Sequence, residues 1–141
     1  IAFLGELFTY TGDWKRGLEL AARAKQLNPH HPGWYWYADV YHAYNQGDYR
    51  GAIACVLRAN MPGHWGFHAM LAAAHGQLGE REAASEALHE LLRMRPNFAA
   101  LVRSELAKWW TADYAEHFID GLRKAGLEVP TATATAVPVA S

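Results

Sequence analysis

The chain is poor in the features that announce most specialised functions. It has one cysteine, Cys55, in 141 residues. That excludes an intrachain disulfide framework and fits a reducing, cytoplasmic setting. No apolar run approaches the roughly 20 residues that a membrane-spanning helix needs, so no membrane role is expected. The N-terminus lacks the basic, apolar and small-residue succession of a secretory signal. Formal net charge is −1, with no cluster of Lys and Arg, so no nucleic-acid footprint is expected. GxSxG, HExxH, CxxC, glycine-rich phosphate loops and paired acidic motifs are all missing. Neither enzyme activity nor a cofactor is expected. The chain begins at Ile1 without an initiator Met and inside an apolar segment, which predicts a piece of a longer protein.

What the chain does have is repetition. Turn glycines recur at Gly12, Gly47 and Gly79, spaced by 35 and 32 residues. Prolines close the units at Pro29, Pro62 and Pro96, spaced by 33 and 34. Five residues after each glycine stands a small residue, Gly17, Ala52 or Ala84, where two helices can approach closely. In one unit, residues from about 32 to 46 form a first helix. Gly47 ends it in the left-handed conformation, Asp48 caps a second helix, and Pro62 blocks continuation. Applied along the chain, the pattern predicts helices near 1–10, 14–27, 33–46, 49–59, 65–77 and 81–94. Apolar stripes at helical spacing add 97–109 and 113–125, with Gly126 as the stop. The segment TATATAVPVAS carries no charge and has no strand to pair with. A disordered tail over 128–141 is expected after a domain spanning 1–127.

The residues of the unit resemble the tetratricopeptide repeat. The first unit carries Leu4-Gly5, Phe8, Gly12-Asp13-Trp14, Ala21, Ala24 and Pro29. The second has Trp36, Gly47-Asp48-Tyr49, Ala52 and Ala59, and the third Leu71, Gly79, Ala84, Leu88 and Pro96. The second unit departs at Asp39-Val40, where the family has Leu-Gly. The resemblance implies an all-α, right-handed superhelix, an α-α solenoid of about three repeats plus a degenerate capping helix pair. The stretches LRMRPNFAALVRSELAKWW and EHFIDGLRKAGLEVP are similar to the end of repeat regions in bacterial multidomain regulators. Those carry a nucleotide cyclase, winged-helix or kinase domain upstream. A scaffolding or sensory role is what that similarity implies.

In this family the first helices line a concave groove that binds peptides. Helix phase turns Glu6, Thr9 and Tyr10 inward in the first unit. In the second it turns Trp34, Tyr37, Tyr41, Tyr44 and Asn45 inward, and in the third Ala69, Ala73, Gly76 and Gln77. Arg103 and Trp110 follow from the last pair. Residues 34, 37, 41 and 44 fall in one helical stripe, an aromatic ridge opposite a floor of alanine and glycine. Aromatics with polar tips suit interfaces. The partner-binding groove is therefore expected at Trp34, Tyr37, Tyr41, Tyr44, Asn45, Tyr10, Arg103 and Trp110. Trp36 is assigned to packing. The family's clamp for a C-terminal carboxylate uses Lys, Arg and Asn. Here Tyr37, Tyr41, Ala69 and Ala73 stand on that surface, so an apolar or proline-bearing protein segment is expected instead.

Two alternatives stay open. The chain could be a dimerisation element, self-associating through Ala2, Phe3 and Phe8 or through Trp109 and Trp110, or it could sense a small molecule in the aromatic groove. His64, His68 and His75 share one helix face, but without a nearby carboxylate at ligand spacing they are expected to be structural, with no metal. His30 and His31 are expected as solvated loop residues, and Cys55 as a buried, inert thiol.

Overall fold

The computed structural model describes residues 12–28, 30 and 33–129. The helix expected over 1–10, including Tyr10, lies outside the described residues, as do Pro29, His31, Pro32 and the tail from 130. Among the described residues the chain is all-α, with no strand. Helix α1 spans Trp14–Leu27. A 3-10 turn, Gly33–Trp36, leads into α2 (Tyr37–Asn45). Then follow α3 (Tyr49–Ala59), α4 (Trp65–Leu78), α5 (Arg81–Met94), α6 (Phe98–Ala107) and α7 (Ala112–Ala125).

The turns form for the reasons their residues supply. Gly12, Gly47 and Gly79 have φ of +85°, +80° and +75°, the left-handed geometry that costs glycine little. Asp13 and Asp48 follow the first two, and their carboxylates accept the N–H of Arg16 at 3.3 Å and of Gly51 at 2.9 Å. Each cap occupies a donor that the helix start would otherwise leave unpaired. Gly17, Ala52 and Ala84 are all buried, as the close helix pairing requires. Between α6 and α7, where no glycine is present, Thr111 takes over the start by accepting the N–H of Tyr114 at 3.3 Å.

The helix expected over 33–46 begins as a 3-10 turn. At its start Gly33 is pressed against the end of α3, where a Cβ would lie 1.7 Å from the Ala59 carbonyl oxygen. At the other end, Gly126 stops α7 with φ of +116°. The packed region runs through Val129, just past the boundary expected at 127. Leu127 and Val129 are buried, and Arg123 donates to the Val129 carbonyl at 3.0 Å.

The core is built around α4, which packs against α3, α5 and α7. Its Ala72, Ala73 and Ala74 have no exposed surface. Leu91, Ile119, Leu122, Phe98, Val40 and Val56 are fully buried around it, each contributing about 1.5–3 kcal/mol of apolar transfer. The last helix pair does not simply extend the row. It is α7, rather than α6, that lies along α4. The terminal helix thus turns back over the face on which the alanine and glycine floor was expected.

Candidate binding site

Helix α7 can approach α4 because both contact faces lack side-chain bulk. A Cβ on Gly76 would stand 2.3 Å from the Gly121 carbonyl oxygen. One on Gly121 would stand 2.7 Å from the Ala73 carbonyl oxygen and 2.4 Å from the Tyr44 hydroxyl. The Tyr44 hydroxyl donates to the His117 carbonyl at 2.9 Å and accepts from the Gln77 amide at 3.2 Å. Gln77 also donates to the carboxylate of Asp120 at 3.3 Å and accepts from Lys124 at 2.8 Å. The Tyr49 hydroxyl meets His117 Nε2 at 2.8 Å. Burial drives the Tyr44 pKa far above the ordinary tyrosine value, so this hydroxyl stays a neutral donor and acceptor. These bonds tie α2, α4 and α7 together, and they assign Tyr44, with no exposed surface, to packing.

Part of the expected groove remains open. Beside the N-terminal half of α7 a cavity of about 590 Å³ lies between α2, α4, the end of α6 and the turn that follows it. Trp34, Tyr37, Val40 and Tyr41 line it from one side, and Trp65, Gly66, Ala69 and Met70 from another. Met61 and His64 come from the loop before α4. Glu105, Leu106, Trp109 and Trp110 complete it, with Tyr114 and Phe118 of α7. The rings support one another. Tyr37 stacks on Tyr41 at 5.8 Å, Tyr41 meets Trp110 edge-on at 4.5 Å, and Trp110 stacks on Tyr114 at 4.2 Å. Such contacts fix ring orientation beyond what area burial alone would do.

Four of the expected groove residues, Trp34, Tyr37, Tyr41 and Trp110, thus come together in one cavity. Tyr44 and Asn45 do not line it. Arg103 is also absent from its walls; it pairs with Glu116 and joins α6 to α7. Tyr10 lies outside the described residues. Sequence reasoning placed none of Trp65, Met61, Glu105 and Leu106 in the groove, weighed His64 only as a structural residue or metal ligand, and placed Trp109 only on a self-association face. Trp65 had a readable signal, because it stands one turn before Ala69 and Ala73 on the same stripe. Glu105, in the last turn of α6, and Trp109, in the turn that follows, had none, since only tertiary packing brings them to the cavity.

His64 and Glu105 on the cavity wall have different partners. His64 Nδ1 accepts the Gly66 N–H at 2.9 Å, capping α4. Burial holds its pKa below the ordinary histidine value, so at neutral pH the ring is uncharged and the cap is intact. The Glu105 carboxylate pairs with Lys108 at 3.3 Å and Arg95 at 3.7 Å.

The other histidines of that helix face have separate partners. His68 Nε2 lies 2.7 Å from the Pro62 carbonyl, and His75 Nδ1 lies 2.8 Å from the Glu80 carboxylate. No group of three or more His, Cys, Asp or Glu among the described residues is placed to hold a metal. Trp36 has two cations over its ring, with Lys25 Nζ 3.8 Å and the Arg58 guanidinium carbon 5.1 Å from the centroid. Cys55 is half-buried, and burial pushes its thiol pKa up. Among the described residues no helix is long and apolar enough to cross a membrane. No family model matches the chain, and neither a curated protein nor a solved structure matches it.

Proposed function

We propose that this chain is a protein-interaction module that seats an apolar or aromatic anchor of a partner segment in the aromatic cavity. The observation that carries the reading is the cavity itself, about 590 Å³ with a wall dominated by Trp, Tyr and Met. Interface hot spots are enriched in Trp and Tyr, which offer large contact area at small entropic cost. Met61 and Met70 add a wall that adapts to the shape of its occupant. Trp109, 56% exposed, adds a large aromatic surface that a partner can cover. On the resemblance of its repeats and of its C-terminal segment, the module would be a tetratricopeptide-like scaffold serving a larger signalling protein.

Peptide selection against the immobilised chain, followed by titration of a selected peptide, tests this. Trp34→Ala and Trp109→Ala are expected to weaken the peptide by at least about tenfold, the scale of a truncated aromatic hot spot, while circular dichroism stays unchanged. Peptides that bind both variants as well as the parent would refute it.

One observation favours a second reading, a small-molecule sensor. Helix α7 occupies the rest of the face, leaving a cavity within the roughly 300–1,000 Å³ range of small-ligand sites. Thermal stabilisation by a small molecule, abolished by Trp34→Ala, would favour that reading over the peptide.

A further inference from the structure

We propose that the group received in the cavity is an organic cation with an apolar shell, a quaternary or alkylated ammonium, with Glu105 as its counter-charge. The proposal rests on the reading of this cavity as the binding site and adds the chemistry of what enters it. Tyr and Trp faces carry negative electrostatic potential and attract cations, and the cavity is walled by Trp34, Tyr41, Trp65 and Trp109 among others. Glu105 is the single carboxylate among the described lining residues, and no Lys or Arg lines the cavity beside it. Glu105 is held from behind by Lys108 at 3.3 Å and Arg95 at 3.7 Å, so the one formal charge presented by the wall itself is negative.

The wall already shows the interaction in use. The guanidinium carbon of Arg95 lies 5.2 Å from the centroid of the Trp65 ring, and the same guanidinium pairs with Glu105 at 3.7 Å. Arg95 is not itself a lining residue. A ring and a carboxylate of the cavity wall therefore hold one cation jointly from outside. A ligand ammonium would make the same pair of contacts from within, in competition with Arg95. Alkylation follows from the aromatic and aliphatic side chains that make up most of the wall. A bare ammonium would give up a strong hydration shell against this mostly apolar wall, whereas an alkylated one is weakly hydrated and buries its methyl groups.

The test titrates choline and its neutral carbon isostere, 3,3-dimethylbutan-1-ol, into the full chain, read by calorimetry and tryptophan fluorescence. Choline is expected to bind about tenfold more tightly than the alcohol, the scale of a desolvated cation–π contact. Glu105→Gln should weaken choline several-fold, Arg95→Gln should strengthen it by removing the cation that shares both Trp65 and Glu105, Lys108 still pairing with Glu105, and neither should alter the alcohol. The unchanged alcohol also shows that both variants keep the cavity. A third arm compares a trimethyl-lysine peptide with its unmodified lysine form. Tighter binding by the methylated peptide than by choline assigns the cation to a partner segment, and the reverse order assigns it to a free small molecule. Equal binding of choline and the alcohol, or choline binding indifferent to both substitutions, overturns the cation and leaves an apolar binding cavity. Absence of binding by either probe overturns the proposal too; the cavity as a binding site then stands or falls on the selected peptide.

Discussion

Gly121→Ala places one methyl group where α7 meets α4 and α2. The added Cβ would lie 2.4 Å from the Tyr44 hydroxyl and 2.7 Å from the Ala73 carbonyl oxygen. The second of these is backbone of a helix packed on other helices, so it cannot yield cheaply. Helix α7 must shift outward, an overpacking cost of about 1–3 kcal/mol. The shift also stretches the Tyr44 bond to the His117 carbonyl, now 2.9 Å, at about 1 kcal/mol. Against this, alanine for glycine inside a helix gains about 1 kcal/mol. The net expectation is a loss of about 1–3 kcal/mol, or a fall in Tm of about 3–10 °C for a chain of this size. Thermal and urea unfolding followed by circular dichroism would measure it. Gly63→Ala is the control: a Cβ there meets nothing within 4 Å, so its effect should stay within about 0.5 kcal/mol. Gly76→Ala should be harmful on its own, because its Cβ would stand 2.3 Å from the Gly121 carbonyl oxygen. The double variant should cost less than the sum of the two, since a helix already displaced accommodates the second methyl. A Gly121→Ala chain that melts at or above the parent temperature would show that helix propensity wins, and would refute the close α4–α7 contact.

Three further outcomes follow from the same packing. Burial is the main cause holding the His117 pKa below its ordinary value, Asp120 raising it and Lys124 lowering it by lesser amounts. The unfolded chain therefore binds more protons than the folded one, and stability should fall as pH drops from 7 through the ordinary histidine value near 6.5, levelling off below the folded pKa. His64 shares this direction, so His117→Gln should flatten only part of the slope between pH 7 and 5; an unchanged slope would argue against a half-buried, neutral His117. Cys55, half-buried with its pKa raised by burial, should react with a disulfide reagent at pH 8 far more slowly in the native chain than in denaturant, and equal rates would contradict the burial. Gly33→Ala, whose Cβ would lie 1.7 Å from the Ala59 carbonyl oxygen, should cost at least about 3 kcal/mol by urea unfolding, the upper part of the overpacking range; a neutral result would place the 3-10 turn away from the end of α3.

The legible part of this chain was local. Gly47 and Asp48 announce a helix end and a helix start through backbone conformation and one capping bond, and each acts within a few residues. The left-handed glycines at 12, 47 and 79, the capping aspartates and the buried small residue five positions on all stand as their spacing predicts. Helix phase also grouped the side chains that share one side of α2 and of α4, because the 3.6-residue period fixes that grouping. What phase cannot supply is the identity of the element that covers a face. The alanine and glycine stripe of α4 reads equally as the floor of an open groove and as the seat of a helix.

By itself, then, the sequence determined the helices, their turns and the aromatic stripe, since those depend on interactions spanning one or two turns of chain. Only the tertiary structure decided that α7 takes the seat, because that choice rests on contacts between residues far apart in sequence. Gly76 against Gly121, and Tyr44 with Gln77 and the His117 carbonyl, are such contacts. The same long-range packing divides the aromatic stripe, sending Tyr44 into the core and leaving Trp34, Tyr37 and Tyr41 on the wall of a cavity.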